Sequence, residues 1–400
     1  MNRPALRKVA IAVALALPFP IAFAQEHAPA PVSFDWNLRL RHEHVDDDAF
    51  AHDADATTLR VRAGLRFRID DHFSALLEGE GIASTGEDYN SGANGRVAWP
   101  AIGDAEGAEL NQAWIGWKGT QVSATLGRQR LLFDNQRWIG NVGWRQNEQT
   151  FDALAVDWTI AKGWNARYAW LDRVHRVAGG QARDPLARER DLDTHLLELA
   201  WKRGVQSLSG YAWLHKDRDV PLASTRTVGL RSVTNFVRDD RGIALTAELS
   251  QQRDYASNML EFSHRYWLLE PAYTTHGVTY RAGWEHLGGS GRHALQTPLA
   301  TLHAFNGWAD KFAAATPASG LEDRYVSVGG KLRDNRWDWA VALHDFAADA
   351  DNVHYGREWN ASLGFPVMKG VRGLVKLADY QADRFARDTT KAWLQLEWTR

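Results

Sequence analysis

The stretch "TTLRVRAGLRFRID", residues 57–70, places Arg60, Arg62, Arg66 and Arg68 on one parity and Leu59, Val61, Leu65, Phe67 and Ile69 on the other. In an extended chain successive side chains point to opposite faces, so this segment is oily on one side and carries four guanidiniums on the other. An arginine turned toward lipid at mid-membrane costs roughly 2–4 kcal/mol. Four on one strand would cost on the order of 10 kcal/mol, comparable with the stability of a whole domain. The guanidiniums must therefore meet water while the aliphatic face meets hydrocarbon. A closed β-barrel satisfies both demands: water inside, acyl chains outside, and every backbone polar group bonded around the ring.

The same pattern continues on both sides. Upstream, "FDWNLRLRHEH" sets Phe34, Trp36, Leu38 and Leu40 against Asp35, Asn37, Arg39, Arg41 and Glu43. Downstream, "HFSALLEGEG" carries Glu78 and Glu80 on one parity, and "KAWLQLEWT" sets Ala392, Leu394, Leu396 and Trp398 against Lys391, Gln395 and Glu397. About eighteen such segments read as strands. They lie near 34–44, 57–69, 72–84, 108–118, 120–130, 150–161, 163–175, 193–203 and 205–216. The rest lie near 225–236, 240–252, 263–273, 276–287, 322–333, 335–346, 355–365, 371–382 and 389–399. The expected fold class is all-β, a transmembrane antiparallel β-barrel of about 18 strands.

The connections alternate in length. Short turns fall at Asp70-Asp71, Gly119-Thr120, Lys162-Gly163, Gly204 and Asn335, and long loops at 85–107, 131–149, 176–192 and 288–321. Short periplasmic turns and longer extracellular loops are the habit of outer-membrane barrels, and an even strand number leaves both chain ends in the periplasm. The 19 tryptophans supply interfacial girdles, with Trp36, Trp158, Trp164, Trp170, Trp201, Trp284 and Trp398 as candidates. Residues 1–24 read as a cleaved export signal: Arg3, Arg7 and Lys8, an apolar run, then Ala22-Phe23-Ala24. Residues 25–33 form a leader and 34–400 the barrel, which places the protein in the bacterial outer membrane. The absence of cysteine excludes disulfides and thiolate chemistry, and a net charge of −2 argues against nucleic acid as a partner.

An 18-strand barrel is wide enough for an aqueous channel. Its lumen is expected to carry Arg39, Arg41, Arg60, Arg62, Arg66 and Arg68 from two adjacent strands, with Arg167 and Arg281 elsewhere. Such a field concentrates anions, and guanidiniums make fork-shaped contacts with carboxylates. The plainer reading is that these arginines pair with Glu78, Glu80, Glu198 and Glu248 to stiffen the wall.

The stretch "GRQRLLFDNQRWIGNVGWRQNEQTFDA", residues 127–153, resembles the alginate-export family of bacterial outer-membrane proteins, as do "TPLATLHAFNGWADKF" at 297–312 and "DRYVSVGG" at 323–330. The resemblance implies an 18-stranded barrel with an electropositive pore. It points to Arg128 or Arg130, Arg137 and Arg145, beside Asp134, as pore residues. On local pattern alone these flank a loop, where surface charge is the ordinary reading. The resemblance also raises the question of whether the loop at 131–149 folds inward and narrows the channel. Two features depart from a dedicated exporter. Every inferred periplasmic turn is short, "PVMKG" at 366–370 included, which leaves no long plug segment, and the chain ends Trp398-Thr399-Arg400 rather than on an aromatic.

Catalytic readings find little support. Ser263 and His264 are neighbours on a strand and point to opposite faces, so they cannot form a nucleophile–base pair. His286, His293 and His303 lie in or beside the longest loop without tight ligand spacing, and Gly288-Gly289-Ser290-Gly291 precedes no helix that would bind phosphate. Asp46-Asp47-Asp48 reads as a solvated loop, or as a site bridged to lipopolysaccharide by divalent ions. The expected function is a non-enzymatic channel, without cofactor or resident metal, passing anionic, carboxylated saccharide-like solutes. A polyuronate exporter working with periplasmic partners and a non-conducting adhesin or structural barrel are the alternatives. The expected partners are outer-membrane lipid, lipopolysaccharide, the barrel-assembly machinery and the cargo itself.

Overall fold

The computed structural model describes residues 31–238, 240–332 and 336–399, so the expected export signal at 1–24 and most of the 25–33 leader lie outside the described residues. Eighteen strands follow in chain order. The first nine are β1 (Val32–Asp47), β2 (Ala54–Arg68), β3 (Phe73–Thr85), β4 (Gly107–Lys118), β5 (Val122–Gln129), β6 (Thr150–Ala161), β7 (Trp164–His175), β8 (Glu189–Arg203) and β9 (Gln206–His215). The second nine are β10 (Thr225–Arg238), β11 (Arg241–Asp254), β12 (Ser263–Thr275), β13 (Val278–Leu287), β14 (Leu321–Leu332), β15 (Trp337–Ala347), β16 (His354–Met368), β17 (Val371–Ala382) and β18 (Thr389–Thr399).

Each strand pairs antiparallel with its chain neighbour, and the ring closes where β18 returns to β1, with Asn37 opposite Thr399 and Asp47 opposite Thr389. Closure leaves no edge in lipid. The sheet is inside-out relative to a soluble protein. Along β2, Thr58, Arg60 and Arg62 are buried while Leu59, Val61 and Leu65 are exposed. Around the ring, Leu77, Leu126, Leu197, Leu230, Leu249, Leu343 and Leu394 also face outward, while Glu43, Glu80, Glu248, Glu285 and Glu358 are buried inside. Such a face is stable only against hydrocarbon. Short turns such as 119–121, 162–163 and 369–370 gather at the periplasmic end, and loops 86–106, 130–149, 176–188 and 288–320 spring from the other. Trp158, Trp164 and Trp398 lie exposed near the periplasmic end, Trp36 packs edge-on to Trp398 at 4.9 Å, and Trp284 is exposed toward the extracellular end.

The lipid-facing assignment predicts a cost. Val61 sits mid-strand between Leu38 and Gly81 and is 41% exposed on the outer face. Val61→Arg should destabilise the barrel by roughly 2–4 kcal/mol, read from denaturant titration during reversible folding into vesicles. The same change at Thr58, on the inner parity, should not follow that depth-dependent cost.

Candidate functional site

The lumen is not an open bore lined with free arginines. Loop 130–149 folds inward and bridges opposite walls. On one side the guanidiniums of β1 and β2 hold its backbone. Arg39 donates to the carbonyls of Gly143, Trp144 and Arg145 at 3.1–3.3 Å, Arg41 to that of Trp144 at 2.6 Å, and Arg62 to that of Gln146 at 3.2 Å. Arg41 and Arg60 are each only 1% exposed as a result. On the other side Trp138 Nε1 donates to Glu248 of β11 at 2.8 Å, and Arg137 pairs with Glu285 of β13 at 2.6 Å. In a ring of eighteen, β2 and β11 face each other across the axis, so the loop spans the barrel from wall to wall.

A second loop, 288–320, folds inward beside it. The two are stitched by backbone bonds, Gly140 N–H to Leu299 O at 2.9 Å and Thr301 N–H to Gln136 O at 3.0 Å. Leu131, Phe133, Trp138 and Ile139 of the first loop pack with Leu295, Leu299 and Phe312 of the second and with Tyr211, Trp213, Tyr266 and Phe346 of the wall. The extracellular half of the barrel therefore contains a small hydrophobic core, where the sequence pattern implied only water. Each buried tryptophan or phenylalanine there contributes roughly 1.5–3 kcal/mol or more of transfer free energy, which keeps the loops docked.

The nominated arginines are almost all paired. Arg39 and Arg60 share Glu397 at 3.2 and 3.3 Å. Arg62 bonds Glu80 and stands 3.3 Å from Glu148, and Arg130 bonds Glu148 and lies 2.7 Å from Glu78. Arg41 and Arg145 approach Asp104 of loop 86–106, and Arg145 also meets Glu43 at 2.8 Å and Asp310 at 3.4 Å. Asp134 forms an ion pair with Arg231 at 3.0 Å, Arg167 from β7 pairs with Asp157 at 2.8 Å, and Arg281 faces Glu270 at 3.3 Å. Burial would raise the Glu148 carboxyl, but Arg62 and Arg130 hold it below the usual range. Only Arg66 and Arg68, at the periplasmic mouth, keep exposed guanidiniums from the opening stretch. Arg66 stands 3.8 Å from Asp35. Arg128, which the resemblance implied for the pore, points the other way. It shares the outer face with Leu126 and pairs with Asp152 at 2.9 Å, which in turn binds His175 at 2.8 Å. Strand β5 ends at Gln129, so parity no longer governs Arg130, and that residue turns inward instead.

Loop 288–320 has its own latch. Asp310 accepts from His303 Nδ1 at 2.7 Å, Lys391 Nζ at 3.1 Å and Arg145 at 3.4 Å. Lys376 Nζ stands 2.6 Å from His303 Nε2 and caps the rings of Trp308 and Trp144 at 3.7 and 4.1 Å. An ammonium can only donate, so Nε2 accepts and the neutral imidazole carries its proton on Nδ1. Burial pushes His303 down to about 3 in agreement with that tautomer. Burial would raise the Asp310 carboxyl, but His303, Lys391 and Arg145 hold it well below its ordinary value.

Above the constriction lies a cavity of about 430 Å³, lined by Arg137, Arg176, Arg190, Arg292 and His293 together with Phe262, Phe305 and Phe312, and by no carboxylate. Asp217 neutralises Arg190 from behind at 3.1 Å. Among the described residues, Arg176 and Arg292 have no side-chain hydrogen bond or ion pair. Burial, then the neighbouring Arg190, push Arg176 down to about 10. Three of these arginines, Arg176, Arg190 and Arg292, were not legible as site residues. Arg176 and Arg190 flank the connection between β7 and β8 while Arg292 lies in loop 288–320, and only the folding of that loop brings them together.

Residues 30–218 match the family model described as alginate export. Comparison with curated proteins finds no match. Solved structures with the same fold include Acinetobacter baumannii OccAB4, at 12% identity and a TM-score of 0.71 over 93% of this chain and 98% of that one. Pseudomonas aeruginosa OccK9 (OpdG) aligns at 12% identity and a TM-score of 0.73, covering 92% and 98%. Pseudomonas aeruginosa OpdK, solved with vanillate, aligns at 13% identity and 0.70, also covering 92% and 98%. The closed 18-strand wall, the inward loops and these likenesses agree: the chain has the fold of the outer-membrane porin barrels, and its residues 30–218 are similar to the alginate-export family.

Proposed function

We propose that the protein is a diffusion channel for small anionic, carboxylated solutes, saccharide acids among them, exported to the outer membrane by the signal at 1–24. The observation that carries this reading is the cavity above the constriction, where two unpaired guanidiniums, and a third paired from behind with Asp217, face aromatic rings with no acid in the lining. Carboxylates are drawn to such a site through fork-shaped contacts. Past it, the exposed edges of Arg130 and Arg167 and the mouth residues Arg66 and Arg68 offer weaker, partly neutralised stations, and weak multi-site binding is what lets cargo leave. The buried arginines of β1 and β2 act on passage indirectly, by fixing the loop that sets the aperture.

Reconstitution in planar bilayers tests this. Under a salt gradient the wild-type channel should show a reversal potential of the sign for anion preference, and Arg176→Ala with Arg292→Ala should reduce that preference without lowering the open conductance. A silent barrel favours the adhesin reading, and cation selectivity in the wild type sinks the proposal. The family match to alginate export favours one further arm. An exporter should be blocked by polyuronate chains added from the periplasmic side, whereas a small-solute channel should be blocked only by short uronates.

A further inference from the structure

On the outer wall, at the extracellular ends of β13 and β14, three metal-binding side chains converge. His286 and Glu322 are register partners on the outward parity, and Asp349 reaches them from the turn that follows β15. His286 Nδ1 lies 3.7 Å from Glu322 Oε1 and 3.9 Å from Asp349 Oδ1. Those separations are too long for hydrogen bonds, and Nδ1 is buried with no hydrogen-bond partner among the described residues. The other oxygen of each carboxylate is already held. Arg324 donates to Glu322 Oε2 at 2.5 Å, and the Gly289 N–H donates to Asp349 Oδ2 at 3.0 Å. The imidazole lies nearly parallel to Trp267, with centroids 5.4 Å apart at 10°. Each donor is thus oriented by a neighbour while its free lone pair faces a common centre, the usual arrangement of a ligand set with its supporting partners.

We propose that His286, Glu322 and Asp349 bind a divalent transition cation, with Zn²⁺ the best fit. At metal–ligand distances of about 2.1 Å, tetrahedral ligands stand roughly 3.4 Å apart, so the two separations from His286 exceed that span by only a few tenths of an ångström, and all three donor atoms lie within 4.8 Å of one another. One nitrogen and two carboxylate oxygens leave a fourth position for water or an external ligand. The position of the site gives it a consequence. Leu287 ends β13, and Gly289, bound to Asp349, is the second residue of the inward loop 288–320. A bound ion would cross-link β13, β14 and the β15–β16 turn at the root of that loop, and so stiffen the constriction from outside the barrel.

The test uses the full chain folded in detergent, stripped with chelator and titrated calorimetrically with ZnCl₂. Wild-type protein should bind one equivalent tightly, and Co²⁺ in its place should give the intense visible bands of tetrahedral coordination. Glu322→Gln and Asp349→Asn should each lose that equivalent, with a dissociation constant raised at least tenfold, while unboiled samples keep the compact gel mobility of a folded barrel. Zn²⁺ should also slow proteolysis within 288–320 in the wild type and not in the variants. Other outward histidines, such as His42 and His44 beside Asp55, account for any weaker binding that survives. An isotherm unchanged in both variants, or no tight equivalent in the wild type, overturns the proposal.

Discussion

Excising residues 134–146 and joining the ends with a short glycine bridge is expected to raise single-channel conductance several-fold. The reason is geometric. This segment crosses the lumen from the arginines of β1 and β2 to Glu248 and Glu285 on the facing wall, so it occupies the section through which ions must pass. The wall should survive the deletion, because its hydrogen bonds run strand to strand and do not pass through the loop. The acids left behind also keep partners: Tyr211 and Arg231 at 2.5 and 2.7 Å for Glu248, and Tyr266 at 2.8 Å for Glu285. A second expectation separates this account from simple widening. The guanidiniums of Arg39, Arg41, Arg60 and Arg62 now spend donors on loop carbonyls, and deletion returns those donors to water. Anion preference should therefore persist or rise even as the aperture opens, whereas widening alone would dilute selectivity. Planar-bilayer recordings of conductance and reversal potential check both outcomes. Unchanged conductance would mean that the loop does not set the aperture.

The wall was legible because a strand declares itself locally. The period-two pattern of 57–70 needs no knowledge of any other segment, and the energetic argument from four guanidiniums on one parity fixes which side is wet. The same holds for 371–382 and 389–399, where the alternation and the strands coincide. The interior was not legible, for the complementary reason. What seats loop 130–149 are contacts between Arg39 and Gly143 or between Arg137 and Glu285, pairs more than 100 residues apart in the chain, and no local pattern encodes them. The alternation identified the inward face of β1 and β2 correctly but could not say that the face would be covered. That is why an expected ladder of free cations became a set of buried anchors. Parity also misleads where it is interrupted. Between Leu171 and Arg173 the β7–β8 register shifts, which leaves Val174 buried inside and carries Arg173 and His175 to the outer rim.

Asp310→Asn is expected to release the second loop. In the wild type one carboxylate satisfies His303, Lys391 and Arg145 together. The asparagine keeps the shape but removes the charge, leaving Lys391 with no carboxylate at hydrogen-bond distance and Arg145 with Glu43 and a distant Asp104. Removing one member of a buried ionic cluster costs roughly 3–5 kcal/mol, enough to shift a docked loop toward an undocked population without unfolding the wall. The latch should also respond to acid. A carboxyl held below its ordinary value stabilises the docked loop above that ordinary value, and the stabilisation fades as pH falls through the depressed one. His303 acts in the same direction. Undocked, it would take a proton near pH 6.5. Docked, it resists protonation until about pH 3. Stability is therefore full above pH 6.5 and erodes below it, by up to about 1.4 kcal/mol per pH unit for a single group. Protease nicking within 288–320, followed from pH 7 to pH 4 on folded protein, should accelerate in the wild type and be fast at every pH in Asp310→Asn. In His303→Gln, which keeps a donor but cannot titrate, the acceleration should flatten. A nicking rate in Asp310→Asn equal to wild type at neutral pH would show that the hydrophobic contacts of Phe312 and Leu299, and not the ionic latch, hold the loop in place.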